Sequence, residues 1–400
     1  MSSSGSSSGP FPVRSGLDEL VASPAILRGR RYGLLCHQAS VDSRLRPAID
    51  ALAICGEGEL AALFGPEHGI TGEAQDMAPV EHAVDGPTGL PVYSLYGARE
   101  ETLEPALEAL RGLDLLLVDL QDVGTRYYTF AATMGAALRA CAKAAIMAVV
   151  LDRPNPIGGV TLEGNLVRPG FRSFVGRYPV PVRHGLTMGE LARLYNGPYG
   201  EGCPLQVIPM AGWRRHQWFD ETGLTWVAPS PNMPTLDTAA VYPGSCLIEG
   251  TNLSEGRGTT RPFETVGAPW LDPDAYAREL SAERLDGVVF RPVRFTPAFH
   301  KWAGQSCGGV QIHLVERETF RPFLTGLALV SVARRLSGGR FDWRREPYEF
   351  VSDRLAIDLL CGDDGIRLAI ESGASLQEIE SGWQGDLASF RPLHESVRLY

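Results

Sequence analysis

LFGPEHGI, residues 63–70, joins a short apolar run to an abrupt turn that carries Glu67 and His68. A carboxylate beside an imidazole at the end of a buried strand is a favourable place for proton-transfer chemistry. The same change from apolar to polar residues occurs in YGLLCHQ (32–38), DLLLVDLQDVGTR (114–126) and IMAVVLDRPN (146–155). Strands with polar carboxyl ends are typical of an open, mostly parallel sheet, which binds ligands at that edge. The pattern predicts an α/β enzyme with a Rossmann-like, mostly parallel sheet.

Segments with helical spacing lie between these strands. Small or apolar residues recur at intervals of three and four in the ranges 43–54, 102–112, 129–145 and 187–195. The last range begins at a capping box formed by Thr187 and Glu190, and LQVIPM at 205–210 predicts a further strand. Because strands joined by helices of this length form parallel crossovers, we expect β and α to alternate from about residue 30 to residue 225.

The sequence changes character at residues 228–269, which are dense in Pro, Gly, Ser and Thr and show almost no helical period. A loop of this length is usually functional or a linker. Beyond it, the sequence predicts strands at 288–295 and 309–315 and helices at 323–336 and 351–360. We therefore expect a flexible Ser/Gly-rich tail (1–20), a Rossmann-like catalytic domain (21–230) and a smaller α+β C-terminal domain (231–400) that completes the active-site cleft.

Composition excludes several classes of protein. The 400 residues have a net charge of −10, which disfavours a nucleic-acid partner because phosphate binding needs a basic surface. No apolar run is long enough for membrane insertion. Seven cysteines without metal-ligand spacing favour a reducing, cytoplasmic location. An exported or periplasmic location stays open if a native signal peptide has been removed.

Glu67 is the first candidate catalytic residue. Glycine and proline form a tight turn around it, and partial burial there would raise its pKa and suit it to general-acid work. His68 could orient Glu67, bind substrate or bond a backbone carbonyl. Asp122 is a further catalytic candidate, although it could instead pair with Arg126 four residues later.

Candidate ligand-binding residues occur in the other polar loops. Those in the predicted sheet domain are Asp119, Arg126, Tyr127, Tyr128, Asp152, Arg153, Asn155 and His184. Those in the long glycine-rich segment are Asn232, Glu249, Asn252, Glu255, Arg257 and Arg261. Arginine suits a ligand carboxylate and tyrosine suits a sugar ring. The chain has no dinucleotide fingerprint, nucleophile elbow or zinc motif, so we expect neither a cofactor nor a metal.

An ordered series of motifs resembles one known family. The motifs are CHQASV, LFGPEHGI, TGLPVYSLYG, LLVDLQDVGTRYYTF, LDRPNPIGG, VPVRHGLTMGELA, PSPNMPTLDTA, YPGSCLIEGTNLSEGRGT and FHKWAGQSCGGVQIH, within about residues 30–320. They resemble the bacterial peptidoglycan exo-β-N-acetylmuramidases, the NamZ-like family. The resemblance implies a glycoside hydrolase that removes terminal β-1,4-linked N-acetylmuramic acid from the non-reducing ends of peptidoglycan fragments. It also implies that the glutamate of the PEHG motif, Glu67, is catalytic.

The resemblance leaves part of the mechanism open. A glycosidase usually needs a second carboxylate, for which the sequence offers Asp119, Asp122, Glu163 and Glu249, or the acetamido group of the substrate. The expected partners are peptidoglycan-derived saccharides of N-acetylmuramic acid and N-acetylglucosamine. Their lactyl carboxylate should meet an arginine, and the choices are Arg126, Arg257 and Arg261. The alternatives are a metal-dependent hydrolase on the same scaffold and a non-catalytic protein that binds muropeptides or the cell wall.

Overall fold

The computed structural model describes residues 12–400 and contains two sheets. The strands of the first sheet are β1 Arg31–Cys36, β2 Glu59–Gly65, β3 Ala83–Val84, β4 Pro91–Ser94, β5 Leu115–Asp119, β6 Met147–Leu151 and β7 Leu205–Ile208. Their order is β3-β4-β2-β1-β5-β6-β7, and every pair is parallel except the edge pair β3-β4. All five residues of β5 are buried, as expected for a strand covered on both faces.

The second sheet is small and antiparallel. Its strands are β8 Thr265–Ala268, β9 Val288–Phe295 and β10 Cys307–Leu314, in the order β8-β10-β9. The prediction of a Rossmann-like, mostly parallel sheet followed by a smaller α+β region is thereby confirmed. The division at residue 230 itself stays a prediction, because one continuous hydrophobic core joins Phe130 of the first region to Phe263 and Phe323 of the second.

Twelve α-helices complete the described fold. They are α1 Gly16–Ala22, α2 Ala48–Cys55, α3 Leu107–Leu110, α4 Phe130–Ala144, α5 Met188–Asn196, α6 Leu236–Ser245, α7 Pro273–Ala282, α8 Pro322–Leu336, α9 Ala356–Cys361, α10 Gly365–Ser372, α11 Leu376–Gly382 and α12 Gln384–Ser396. The predicted capping box is present at α5, where the Thr187 hydroxyl accepts from the Glu190 backbone N–H. In residues 12–400, no helix has the length and apolar character that a membrane crossing requires.

Several predicted elements need correction. The predicted helix over 102–112 is wrong, since a 3₁₀ helix at Glu100–Leu103 and the short α3 flank Pro105 instead. Residues 228–269 are not a structureless loop, because they contain α6 and β8. The flexible tail predicted over 1–20 is too long, because α1 begins at Gly16 behind a capping box of Ser15 and Asp18. Residues 1–11 of that tail lie outside the described residues.

Candidate active site

A small cavity lies at the carboxyl end of β2, between the parallel sheet and the C-terminal region. It is lined by Glu67, His68, Asp76, Tyr127, Tyr128, Thr129, Val175, Ser230, Asn232, Met233, Tyr242, Glu249, Arg257, Phe263, Tyr348 and Glu349. Aromatic rings form much of the wall, and four carboxyl groups face a single guanidinium.

Glu67 enters the cavity from the turn that follows β2. The turn is tight because His68 and Gly69 both have left-handed backbone angles, with φ of 72° and 77°. One carboxylate oxygen of Glu67 accepts from the Met77 backbone N–H at 3.1 Å, and the other accepts from the Thr129 hydroxyl at 2.7 Å. Two donors therefore fix the position of this carboxyl group in the cavity.

His68 supports the turn. Its Nδ1 lies 2.8 Å from the Ala74 carbonyl oxygen, which fixes the ring within the loop. A non-glycine residue with positive φ costs about 1–3 kcal/mol, and such residues persist where the surrounding structure holds them in place. Of the three roles left open for His68, the backbone bond is thus observed, and the ring also lines the cavity.

Glu349 places a second carboxyl group in the same cavity. It is buried, and one of its oxygens accepts from the Tyr96 hydroxyl at 3.0 Å. Burial, and then the negative charge of nearby Glu67, raise the pKa of Glu349 well above its usual value. Glu349 and Phe350 both have positive φ, 46° and 68°, so the backbone is strained where this carboxyl group enters the cavity.

Arg257 organises the acidic groups on the opposite wall. Its guanidinium contacts Glu249 at 2.6 Å, Asp76 at 3.1 Å and Glu255 at 3.4 Å. The second oxygen of Glu249 accepts from the Tyr348 hydroxyl at 2.6 Å. Both oxygens of Glu249 are therefore engaged within the protein, and the guanidinium of Arg257 is surrounded by three carboxylates.

Glu255 lies behind Arg257 and binds two further basic residues. Lys301 Nζ lies 3.0 Å from one oxygen of Glu255, and His300 Nδ1 lies 3.0 Å from the other. Although burial favours its neutral form, Lys301, His300 and Arg257 hold the pKa of Glu255 well below its usual value. Within residues 12–400, no group of three or more His, Cys, Asp or Glu side chains is arranged to hold a metal ion.

The structure thus brings together about half of the predicted site. The predicted residues that line the cavity are Glu67, His68, Tyr127, Tyr128, Asn232, Glu249 and Arg257. Glu255 lies directly behind Arg257. Tyr127 presents only its ring, because its hydroxyl donates to the Pro243 carbonyl oxygen.

The acidic candidates of the β5 loop lie elsewhere. Asp119 is buried in a two-point ion pair with Arg153, at 2.6 and 2.7 Å, and neither side chain lines this cavity. Asp122 accepts from the Gly124 backbone N–H at 2.6 Å and lies 3.3 Å from His184. These four residues hold the strand-end loops together. None of them lines the cavity, so the structure does not support the roles predicted for them there in substrate contact or catalysis.

Other predicted ligand contacts are also structural. Arg126 donates to four backbone carbonyl groups, those of Asn165, Val180, Leu360 and Cys361. The remaining residues bind helix ends or neighbouring side chains: Asp152 to Thr187 and Gly189, Asn155 to Leu186, Asn252 to Arg340, Arg261 to Glu264, and Glu163 to Phe323 and Leu324. None of them lines the cavity, which corrects their predicted place in the site.

Sequence reasoning missed six polar residues of the cavity: Asp76, Thr129, Ser230, Tyr242, Tyr348 and Glu349. Thr129 lies within the quoted motif LLVDLQDVGTRYYTF, so its proximity to Glu67 could have been considered. Tyr348 and Glu349 lie in EPYEFV, outside every quoted motif, and the local sequence gives no signal of a site. Only the folded C-terminal region brings them to the sheet edge.

Comparisons with known proteins identify the family of this chain. Models of the family described as "Exo-beta-N-acetylmuramidase NamZ" match the chain over residues 32–237 (N-terminal) and 240–400 (C-terminal). The peptidoglycan β-N-acetylmuramidase NamZ of Bacillus subtilis (strain 168) is 42% identical over 389 residues, which cover 97% of this chain and 91% of that protein.

Two crystal structures of DUF1343 family proteins from Bacteroides fragilis NCTC 9343 share the fold. The first has a TM-score of 0.88 and 33% identity, covering 98% of this chain and 100% of that one. The second has a TM-score of 0.77 and 28% identity, covering 98% and 99%. The resemblance therefore extends over nearly the whole length of every protein compared.

Proposed function

The chain belongs to the exo-β-N-acetylmuramidase NamZ family, and from this membership we propose that it is a glycoside hydrolase acting on peptidoglycan fragments. Its reaction is the release of terminal β-1,4-linked N-acetylmuramic acid from non-reducing ends. The observation that carries the proposal is the pair of carboxyl groups, Glu67 and Glu349, in one cavity.

Glycoside hydrolysis usually needs two carboxyl groups with different protonation states. One donates a proton to the leaving oxygen, and the other acts as a base or nucleophile, or stabilises the positive charge that develops on the sugar. Among the carboxyl groups of the cavity, Glu249 is engaged at both oxygens by Arg257 and Tyr348. Glu349 receives only the Tyr96 hydroxyl, so it is the better partner for Glu67.

The surroundings of the two groups assign their roles. Glu349 is buried beside a negative charge, which raises its pKa and favours the protonated form that a general acid requires. Glu67 is held at both oxygens by Met77 and Thr129 and supplies the negative charge beside Glu349, so it takes the role of base or nucleophile. This assignment reverses the general-acid role that the sequence suggested for Glu67, while keeping Glu67 as a catalytic residue.

The cavity walls suit a single sugar residue. Tyr128, Tyr242, Phe263 and Tyr348 place aromatic rings around it, and rings of this kind pack against the apolar faces of sugars. Asn232 adds an amide that suits the hydroxyl and acetamido groups of the substrate. The cavity is small, which favours a chain end over an internal stretch of glycan.

The proposal is tested with a chromogenic β-N-acetylmuramide and the matching N-acetylglucosaminide. Wild type should release the chromophore from the muramide, and Glu67→Gln should lower turnover by about 10²–10⁴-fold. Glu73→Gln is the matched control, because Glu73 is exposed on the same loop outside the cavity lining. Full activity in Glu67→Gln, or no release by wild type, would overturn the proposal.

A further inference from the structure

Arg344 is an arginine at the rim of the cavity that has no acidic partner within salt-bridge distance among residues 12–400. Its guanidinium carbon lies 5.1 Å from the centre of the Tyr348 ring, which lines the cavity. Its Nη2 lies 3.7 Å from the Met77 sulfur, and the backbone N–H of Met77 binds Glu67. Arg344 therefore contacts Met77, which binds Glu67, and Tyr348, which binds Glu249.

The other arginines near the site are already neutralised. Arg257 contacts three carboxylates, and Arg261 pairs with Glu264. Arg345, the neighbour of Arg344, is exposed and pairs with Asp342 at 3.2 Å. Arg344 instead contacts only a sulfur, an aromatic ring and, at 3.4 Å, the Pro347 carbonyl oxygen.

Arg344 also faces open space. It is partly exposed and lines an outer cleft that includes Asn252, His300 and Trp302. The backbone N–H of Arg344 donates to the Gly250 carbonyl oxygen at 2.9 Å, which fixes the base of the side chain beside the Glu249 wall. An anchored backbone with a partly free guanidinium is suited to binding an anion with two parallel hydrogen bonds.

The substrate brings one carboxylate of its own. N-acetylmuramic acid differs from N-acetylglucosamine only by the lactyl ether on O3, which ends in a carboxylate. The cavity interior already holds Glu67, Glu249 and Asp76 against one guanidinium, so a further negative charge is repelled from it. The favourable position for the lactyl group is at the rim, beside an unneutralised cation.

We propose that Arg344 binds the lactyl carboxylate and thereby selects N-acetylmuramic acid over N-acetylglucosamine. This inference rests on the proposed function and adds a specificity-determining residue to it. It replaces the three arginines suggested by the sequence, because Arg126 donates to backbone carbonyl groups outside the cavity lining, Arg257 is paired with carboxylates of the protein, and Arg261 pairs with Glu264 outside the lining.

The test compares two substrates that differ only in charge: the chromogenic muramide and its lactyl methyl ester. Arg344→Gln should lower kcat/KM on the free acid about 10- to 100-fold, the effect of losing a charge-assisted hydrogen bond. On the neutral ester, wild type and Arg344→Gln should be equally slow. Arg344→Lys keeps the charge and should recover part of the activity on the acid.

Arg345→Gln is the matched control and should behave as wild type on both substrates. Equal losses on acid and ester in Arg344→Gln would mean a structural role and would overturn the inference. Full activity of Arg344→Gln on the free acid would also overturn it, with the proposed function intact. If wild type hydrolyses neither substrate, the proposed function fails with it.

Discussion

Glu67 and Glu349 share a cavity but not an environment. Glu67 accepts from Met77 and Thr129, while Glu349 is buried with the Tyr96 hydroxyl as its donor. The negative charge of Glu67 keeps the proton on Glu349, since two carboxylates in one buried site do not ionise together. The roles of acid and base thus follow from the different hydrogen-bond donors of the two groups and from the burial of Glu349 beside the charge of Glu67.

The acid role of Glu349 predicts a dependence on the leaving group. Glu349→Gln should lower hydrolysis of the disaccharide, whose sugar oxygen needs protonation, about 10²–10⁴-fold. It should affect the nitrophenyl muramide much less, because nitrophenolate leaves without a proton. Glu67→Gln should impair both substrates. The opposite pattern, with the nitrophenyl substrate spared only in Glu67→Gln, would restore Glu67 as the acid.

The same assignment fixes the sign of one pH effect. A general acid works while protonated, so activity on the disaccharide should fall as pH rises through the raised pKa of Glu349. Glu349→Gln should lack this alkaline fall in its residual activity. A wild-type profile that rises steadily through the alkaline range would contradict the assignment.

At the residue scale, the sequence was informative only where local patterns mark a site. The turn residues around Glu67 identify it as a candidate, because a tight turn after an apolar strand exposes its side chain. Asp119 and Arg153 follow the same pattern but bind each other at the sheet edge. Sequence spacing does not distinguish a polar residue that faces a ligand from one that faces another loop.

At the element scale, α6 shows how tertiary contact overrides local propensity. Leu236–Ser245 contains Pro243 and Gly244 and therefore reads as a loop. It forms a helix because Thr235 caps it, and because Gly244 packs backbone to backbone against Gly326 of α8. The carbonyl oxygen of Pro243 then accepts a hydrogen bond from the hydroxyl of Tyr127, whose ring lines the cavity.

The close contact between Gly244 and Gly326 predicts that one added methyl group lowers the stability of the fold. In Gly326→Ala the new Cβ would collide with the Gly244 backbone, which cannot move aside as a side chain does. We expect a loss of about 1–3 kcal/mol in the free energy of unfolding, measured by denaturant titration. Gly385→Ala in α12 meets open space and should change stability by about 1 kcal/mol or less. Equal stability of the two variants would show that the helices separate easily.

At the scale of the whole molecule, the active site depends on both halves of the chain. The sheet contributes Glu67 and Thr129, and the C-terminal region contributes Glu249, Arg257 and Glu349. The order of apolar runs predicted the sheet, because strand burial is a local property of sequence. It could not place EPYEFV over the sheet edge, because that position depends on how the second region packs.

Release of N-acetylmuramic acid from chain ends is tested most directly by mass spectrometry of the products formed from glycan fragments that end in this sugar. We expect wild type to release free N-acetylmuramic acid and to leave fragments shortened by one sugar, and Glu67→Gln to release almost none. Internal cleavage products, or equal release by Glu67→Gln, would contradict the proposed reaction.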